Sequence, residues 1–213
     1  MEKRSMNKEL LIIFTRNPEL GKVKTRLAAT VGNKIALDIY KFLLEHTRQI
    51  SMELDVSRHL YYSEEIHTED AWDNSLFNKR LQQGDDLGDR MKYAFQTGLK
   101  EGYEKVIIIG SDIYELDTTD LEDAFSALNQ NEVVIGPAAD GGYYLLGMRT
   151  LIPELFENKE WGSDSVLKDT LSQLENRPTR LLTVKNDVDT YDDIKDVPAF
   201  KHFLTHINEA NPI

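Results

Sequence analysis

The chain has 213 residues, 40% of them hydrophobic, and a formal net charge of −12 at pH 7. It is long enough to bury a real core, and the acidic balance argues against nucleic acid as a bulk partner, because a phosphate backbone needs a basic face. No cysteine is present, which excludes disulfides, thiolate chemistry and cysteine zinc sites and fits a reducing compartment.

A single domain spanning 1–213 is the expectation, since I-, L- and V-rich clusters recur without a linker or an internal repeat. The longest apolar runs, Leu10–Phe14 and Val106–Ile109, have strand length and are too short to span a bilayer. The first residues lack the apolar stretch of a signal peptide, so a soluble, cytoplasmic protein is expected.

In chain order, Leu10–Thr15 reads as a buried strand, followed by a loop marked by Asn17-Pro18 and Gly21. Gly32-Asn33 precedes a helical pattern with Ile35, Ile39, Phe42, Leu43, His46 and Ile50 on one face. Ser57–Tyr62 reads as a strand, and Phe77–Gln82 as a weaker one after an acidic stretch. Asp85–Leu99 is helical, with Leu87, Met91, Ala94, Phe95 and Leu99 sharing a face.

Val106–Ile109 is the clearest strand. Thr119-Asp-Leu-Glu122 has the spacing of a capping box and opens a helix ending near Leu128. Val133–Gly136 and Tyr143–Met148 are strands around the turn Asp140-Gly-Gly. Ser165–Leu174 is helical, Leu181–Val184 is a strand, and a last helix covers Ala199–Ile207. Strands alternating with helices, with short continuous apolar runs, predict a mainly parallel sheet covered on both faces. Ligands bind such sheets outside the carboxyl ends of the strands.

Three segments that follow predicted strands carry chemistry. Arg16-Asn-Pro-Glu-Leu-Gly-Lys-Val-Lys-Thr-Arg26 concentrates Arg16, Lys22, Lys24 and Arg26 in an acidic protein. Gly21 admits close backbone approach, and the cations can grip phosphate oxygens. It is not a Walker A loop. Asp112 ends Val106-Ile-Ile-Ile-Gly-Ser-Asp, and Asp187 and Asp189 lie two apart on an extended segment, facing one side. Carboxylates so placed suit Mg²⁺ or Mn²⁺, which take few protein oxygens and the rest from water and phosphate. The alternative for each is a turn or helix cap.

Between the later strands, Gly141 and Gly142 make a tight turn or let a sugar lie against backbone, with Asp140 accepting from hydroxyls. His202 and His206 are spaced i, i+4, but with no third ligand they read as a surface helix rather than a zinc site. His46 reads as a packed core residue.

Gly21-Lys-Val-Lys-Thr-Arg-Leu27, Gln83-Gly-Asp-Asp-Leu-Gly-Asp-Arg-Met91, Ile109-Gly-Ser-Asp112, Gly136-Pro-Ala-Ala-Asp-Gly-Gly-Tyr-Tyr-Leu-Leu-Gly147 and Asp187-Val-Asp-Thr190 occur in this order. Together, over roughly residues 10–197, they resemble the DUF2064 group of candidate glycosyltransferases, also called radical-SAM/selenodomain-associated transferase 1. The resemblance implies a three-layer α/β/α sandwich with a GT-A-like nucleotide-diphospho-sugar transferase fold. That fold is related to the nucleotidyltransferases that make coenzyme F420 precursors and molybdopterin dinucleotides.

It further implies that Lys22, Lys24 and Arg26 hold nucleotide phosphates and that Asp112, Asp187 and Asp189 hold metal. Gly141, Gly142, Tyr143, Trp161, Ser163 and Ser165 would lie on the acceptor side. Where the family usually has proline two residues after the motif aspartate, this chain has Tyr114.

The expected activity is metal-dependent transfer of a sugar from a nucleotide diphosphate to a small acceptor, with Asp112 and Asp140 as catalytic residues. A nucleotidyltransferase joining a nucleoside triphosphate to a phosphorylated acceptor, and a non-catalytic binder of nucleotide or sugar phosphate, are the alternatives. The base, sugar, acceptor and oligomeric state are not encoded in any motif.

Overall fold

The computed structural model describes residues 8–205. Seven strands form one sheet: β1 Glu9–Thr15, β2 Ser57–Tyr62, β3 Asn78–Leu81, β4 Lys105–Ile109, β5 Val133–Pro137, β6 Tyr143–Met148 and β7 Thr179–Leu181. Among the described residues five α-helices accompany them: α1 Thr25–Val31, α2 Asn33–Met52, α3 Leu87–Lys100, α4 Thr118–Ala127 and α5 Val166–Gln173. Two 3-10 turns, Pro153–Phe156 and Pro198–Phe203, complete the elements.

The strand order is β3-β2-β1-β4-β6-β5-β7. All neighbours run parallel except β6, which is antiparallel to both β4 and β5. Alternation along the strands sorts the core into two layers, because successive side chains point to opposite faces. Leu11, Ile13, Leu60, Ile107 and Ile109 pack with Tyr40 and Leu44 of α2 and with Leu121 and Phe125 of α4. Leu10, Ile12, Val106 and Ile108 pack on the other face with Met91, Ala94 and Phe95 of α3 and with Phe156. The sheet is thus sandwiched between helices, as the unbroken apolar strands require.

A third cluster joins Leu27 and Val31 of α1, Ile39 and Leu43 of α2, and Val188, Ile194, Phe200 and Leu204 of the C-terminal segment. It fixes the basic loop against the late aspartates.

Several boundaries differ from expectation. The loop expected after β1 ends in a helix: α1 starts at Thr25 after Lys24, which adopts a left-handed conformation (φ 48°). The capping box of α4 lies two residues earlier, with Asp117 as the cap and Asp120 as its partner. Aspartate at both positions performs the reciprocal bonding that Thr119 and Glu122 were expected to provide. The last strand is Thr179–Leu181 rather than Leu181–Val184, because its register with β5 runs from Val133↔Thr179 and ends at Ile135↔Leu181. The final helix is a 3-10 turn, and its predicted continuation through His206 lies outside the described residues.

Register explains why the chemistry gathers at one edge. Ile13 of β1 stands opposite Ile109 of β4, so the loops after these strands leave the sheet side by side. Because β6 is antiparallel, the Ala138–Gly142 turn reverses the chain at that same edge, with Pro137 opposite Tyr143. Ala138 then pairs in parallel with Lys185, carrying the segment leading to Asp187 along the same side.

Candidate functional site

The two aspartate segments are tied through backbone. The Val188 amide donates to the Asp112 carbonyl at 3.1 Å, and Val188 itself is buried with Leu27. With Val188 as the anchor, Asp187 and Asp189 flank it at the sheet edge, in irregular structure rather than a strand.

Side chains close the arrangement. Lys24 Nζ donates to Asp112 Oδ2 at 2.8 Å and lies 4.0 Å from Asp189 Oδ1. Arg26 donates to Asp189 Oδ2 at 2.8 Å. The Lys24 side chain is only 7% exposed, whereas that of Arg26 is 77% exposed. Burial pushes the Asp187 carboxyl up from its ordinary value; neighbouring Asp112 and Asp140 add to the rise, and Lys24 opposes it. The edge is therefore an acidic centre with a lysine ammonium seated against it.

Other members of the basic loop are disposed differently. Lys22 is turned toward Glu19 at 2.7 Å and Glu64 at 3.8 Å, on the exposed side. Arg16 is exposed, and among the described residues its guanidinium has no carboxylate partner. Its backbone is held instead: the Arg16 amide donates to the Tyr40 hydroxyl at 2.9 Å, and that hydroxyl donates back to the Arg16 carbonyl at 3.1 Å. Gly21 has φ 76°, the left-handed region that glycine enters without a Cβ penalty.

On the late side, Asp140 Oδ1 accepts from the Gly142 amide at 2.9 Å while the residue stays exposed. Gly141 has φ 90°, and a Cβ there would stand 2.3 Å from the Asp164 carbonyl oxygen. Only glycine lets the turn meet the 161–165 loop, whose next residues continue that contact through the Leu167 amide on the Gly141 carbonyl. Ser163 and Ser165 are hydrogen-bonded to each other at 3.0 Å, and Ser165 reaches Asp169 at 3.1 Å. Trp161 lies over Gly88 at the start of α3, where an added Cβ would be 2.6 Å from the indole nitrogen. The Tyr143 ring packs into the layer under α3. Its hydroxyl is buried without a partner among the described residues, and burial raises its pKa.

Tyr114 faces away from the carboxylates. Its ring packs on His46, Phe200 and Phe42 at centroid distances of 5.0, 5.0 and 5.7 Å. The proline departure thus replaces backbone rigidity with aromatic anchoring. His46 is half-buried rather than fully packed, with its Nε2 2.8 Å from the Leu116 carbonyl oxygen.

Two supporting residues were missed. Asn17, 3% exposed, accepts from the Glu64 amide at 3.1 Å and donates to the Glu65 carbonyl at 2.8 Å, stapling the loops after β1 and β2. Asp193 accepts from Asn186 Nδ2, the Asp189 and Thr190 amides and the Thr190 hydroxyl. The Thr190-x-x-Asp193 spacing is a capping-type signal that could have revealed it. Burial works against the charge of Asp193, but these hydrogen bonds prevail and hold its pKa below the usual value.

Among the described residues, no group of three or more His, Cys, Asp or Glu side chains is gathered closely enough to hold an ion unaided. The donor set nevertheless fits a hard cation. Asp112 already accepts an ammonium, and Mg²⁺ or Mn²⁺ needs only one or two carboxylates when water and phosphate supply the rest. No helix among the described residues is long and apolar enough to cross a membrane.

The DUF2064 family, described as an uncharacterized protein conserved in bacteria, matches residues 47–163. A crystal structure of a candidate nucleotide-diphospho-sugar transferase from Desulfovibrio desulfuricans G20 is 31% identical with TM-score 0.83, covering 96% of each chain. The 4-diphosphocytidyl-2C-methyl-D-erythritol synthase of Anaerococcus prevotii DSM 20548 is 13% identical with TM-score 0.59, over 91% of this chain and 96% of that one. Rv0371C of Mycobacterium tuberculosis H37Rv, in complex with manganese, is 16% identical with TM-score 0.51, over 88% and 96%. Among curated proteins, none matches this sequence. The two more distant likenesses concern the fold, which is that of the nucleotide-diphospho-sugar transferases. The match across more than half of the sequence makes this chain a member of the DUF2064 family.

Proposed function

We propose that the protein is a metal-dependent transferase that takes a sugar from a nucleotide-diphosphate donor to a small-molecule acceptor. The observation that carries this reading is the meeting of Lys24 and Arg26 with Asp112 and Asp189 at the carboxyl edge of the sheet. Cationic side chains and carboxylates on one edge suit a ligand that brings both phosphate and a hard cation. The name of the Desulfovibrio relative supports a nucleotide-diphospho-sugar donor, and the manganese complex of the mycobacterial protein supports a divalent ion.

In this reading Asp112, with Asp187 and Asp189, holds Mg²⁺ or Mn²⁺, which when bound supplies charge neutralisation on the leaving diphosphate. Arg16, Lys22, Lys24 and Arg26 bind phosphate oxygens and stabilise the same developing charge. Gly21 lets the loop backbone approach the diphosphate. Asp140, exposed beside the acidic centre, orients the acceptor hydroxyl and takes its proton. Gly141, Gly142, Tyr143, Trp161, Ser163 and Ser165 shape the acceptor side.

A second reading, nucleotidyl transfer from a nucleoside triphosphate, draws on the same cations and carboxylates. It is favoured by the name of the Anaerococcus structure, a 4-diphosphocytidyl-2C-methyl-D-erythritol synthase. Product analysis separates the two. Incubation with Mn²⁺, a panel of nucleotide sugars and the four nucleoside triphosphates, with a mixed pool of small hydroxylated acceptors, is expected to release a nucleoside diphosphate from one nucleotide sugar. Pyrophosphate released from a triphosphate would replace this reading by the second.

A further inference from the structure

Of the four cations of the basic loop, three are already matched with carboxylates. Lys22 is held by Glu19 and Glu64, Arg26 by Asp189, and Lys24 by Asp112 with Asp189 at 4.0 Å. Only Lys24 is also buried, at 7% side-chain exposure. An ammonium so enclosed needs an anionic partner, since a desolvated charge without one is strongly unfavourable.

Its backbone reinforces the placement. Lys24 has φ 48° and ψ 47°, a left-handed conformation uncommon for a residue with a side chain, and it caps α1 without a side-chain cap bond. The chain is bent here so that the ammonium reaches the aspartates. Val23 just before it is buried in the core and Leu27 just after it is buried as well, so the backbone is held on both sides while Leu20, Gly21 and Lys22 are exposed. The ammonium turns by rotation of its own side chain.

We propose that the Lys24 ammonium is an internal stand-in for the divalent cation: it occupies the Asp112–Asp189 pair when no ion is bound and turns to a ligand phosphate when one is. This rests on the metal- and phosphate-binding reading above. An ion that takes Asp112 and Asp189 leaves the ammonium without its partner, and phosphate oxygen is the anion nearest to hand in function. Cation and phosphate then assist each other through one side chain, and by linkage the coupling is the same in both directions. With neither ligand present, the ion pair offsets part of the negative charge of the acidic centre.

The test uses Mn²⁺ alone, titrated into phosphate-free wild type and Lys24→Met, with bound ion read by electron paramagnetic resonance. Removal of the stand-in is expected to tighten Mn²⁺ binding about tenfold. Lys92→Met removes the same unit of charge on the far side of α3, where Lys92 pairs with Glu157, and is expected to leave Mn²⁺ affinity unchanged. Equal or weaker binding by Lys24→Met would overturn the proposal while leaving the metal site standing. No Mn²⁺ bound by any of the three proteins would overturn the metal site as well. A second measurement needs no variant: brief acetylation of wild type, mapped by mass spectrometry, should label Lys24 more strongly with saturating Mn²⁺ than without it. Lys24 labelling indifferent to Mn²⁺ would also sink the idea.

Discussion

Arg26 and Asp189 stand 163 residues apart in the chain and 2.8 Å apart in space. Their neighbours account for the meeting, because Leu27 and Val188 are buried in one cluster that α1, α2 and the C-terminal segment share. Hydrophobic packing sets the distance, and the ion pair follows from it. An exposed pair such as this adds little stability by itself, so its placement points to the site rather than to the fold.

Asp112→Asn keeps the size of the side chain and removes its charge. Turnover is expected to fall at least about a hundredfold, the scale seen when a single group stabilising developing charge is lost. The melting temperature should fall only a few degrees, because Lys24 retains Asp189 nearby. Steady-state assays beside thermal denaturation check both halves. A fully active Asp112→Asn enzyme would remove the centre of the proposed function.

Asp193 touches no ligand in this account but holds the segment that presents Asp187 and Asp189. Asp193→Ala strands two backbone amides, the Thr190 hydroxyl and the Asn186 side-chain amide, at a cost of about 1–3 kcal/mol where they are shielded from water. Mn²⁺ affinity should fall in step, and Asp193→Asn, which keeps one acceptor oxygen, should recover part of it. Titration of Mn²⁺ into the two variants gives the comparison. Unchanged affinity in Asp193→Ala would show that the segment is positioned by Val188 alone.

Much of this was legible in the sequence. Val106–Ile109 and Leu10–Thr15 announce buried parallel strands through continuous β-branched and leucine runs, and strand ends told where Asp112 and the basic loop would emerge. The left-handed Lys24 and the short α1 were not legible, because Lys-Val-Lys-Thr-Arg carries no helix-start signal and only tertiary packing of Leu27 and Val31 makes it helical. The antiparallel β6 was similarly hidden: Tyr143–Met148 is apolar throughout, and periodicity does not report direction. The Asp187–Asp189 pair was expected to face one side of an extended segment after the last strand. The segment lies outside the named strands and is pinned by Asp193, with Arg26 on Asp189 and Asp187 near Asp112 and Asp140.

Tyr114 supplies a contrasting case. Tyr114→Ala removes ring contacts with Phe42, His46 and Phe200 and should cost about 2–3 kcal/mol, below the figure for a fully buried aromatic because the residue is half-exposed. Mn²⁺ affinity at Asp112 should change less than threefold, roughly the scatter between independent sites. Urea denaturation and Mn²⁺ titration together test this. A loss of Mn²⁺ binding out of proportion to stability would assign Tyr114 a part in the site.

His59 is buried under the opposite side of the sheet, and burial, with the Arg80 guanidinium adding and Glu101 opposing, lowers its pKa to about 4. The folded protein therefore holds His59 neutral while the unfolded chain protonates it below about 6.5. The unfolded state binds more protons in that interval. Stability from this residue is thus complete above pH 6.5 and declines as pH falls toward 4, by about 3 kcal/mol. Denaturation at pH 7 and pH 4.5 should show a smaller pH-dependent loss in His59→Gln than in wild type. An equal loss in both would show that other groups carry the acid sensitivity.

The most direct test of the central claim is the melting temperature of wild type and Asp112→Asn with nucleotide sugars and nucleoside triphosphates, each with and without Mn²⁺. Ligands that bind only the native state raise it in proportion to the logarithm of their concentration over affinity. The account predicts a rise for one nucleotide-diphosphate sugar that requires Mn²⁺ and disappears in Asp112→Asn. A rise that is independent of Mn²⁺, or that persists undiminished in Asp112→Asn, would contradict it.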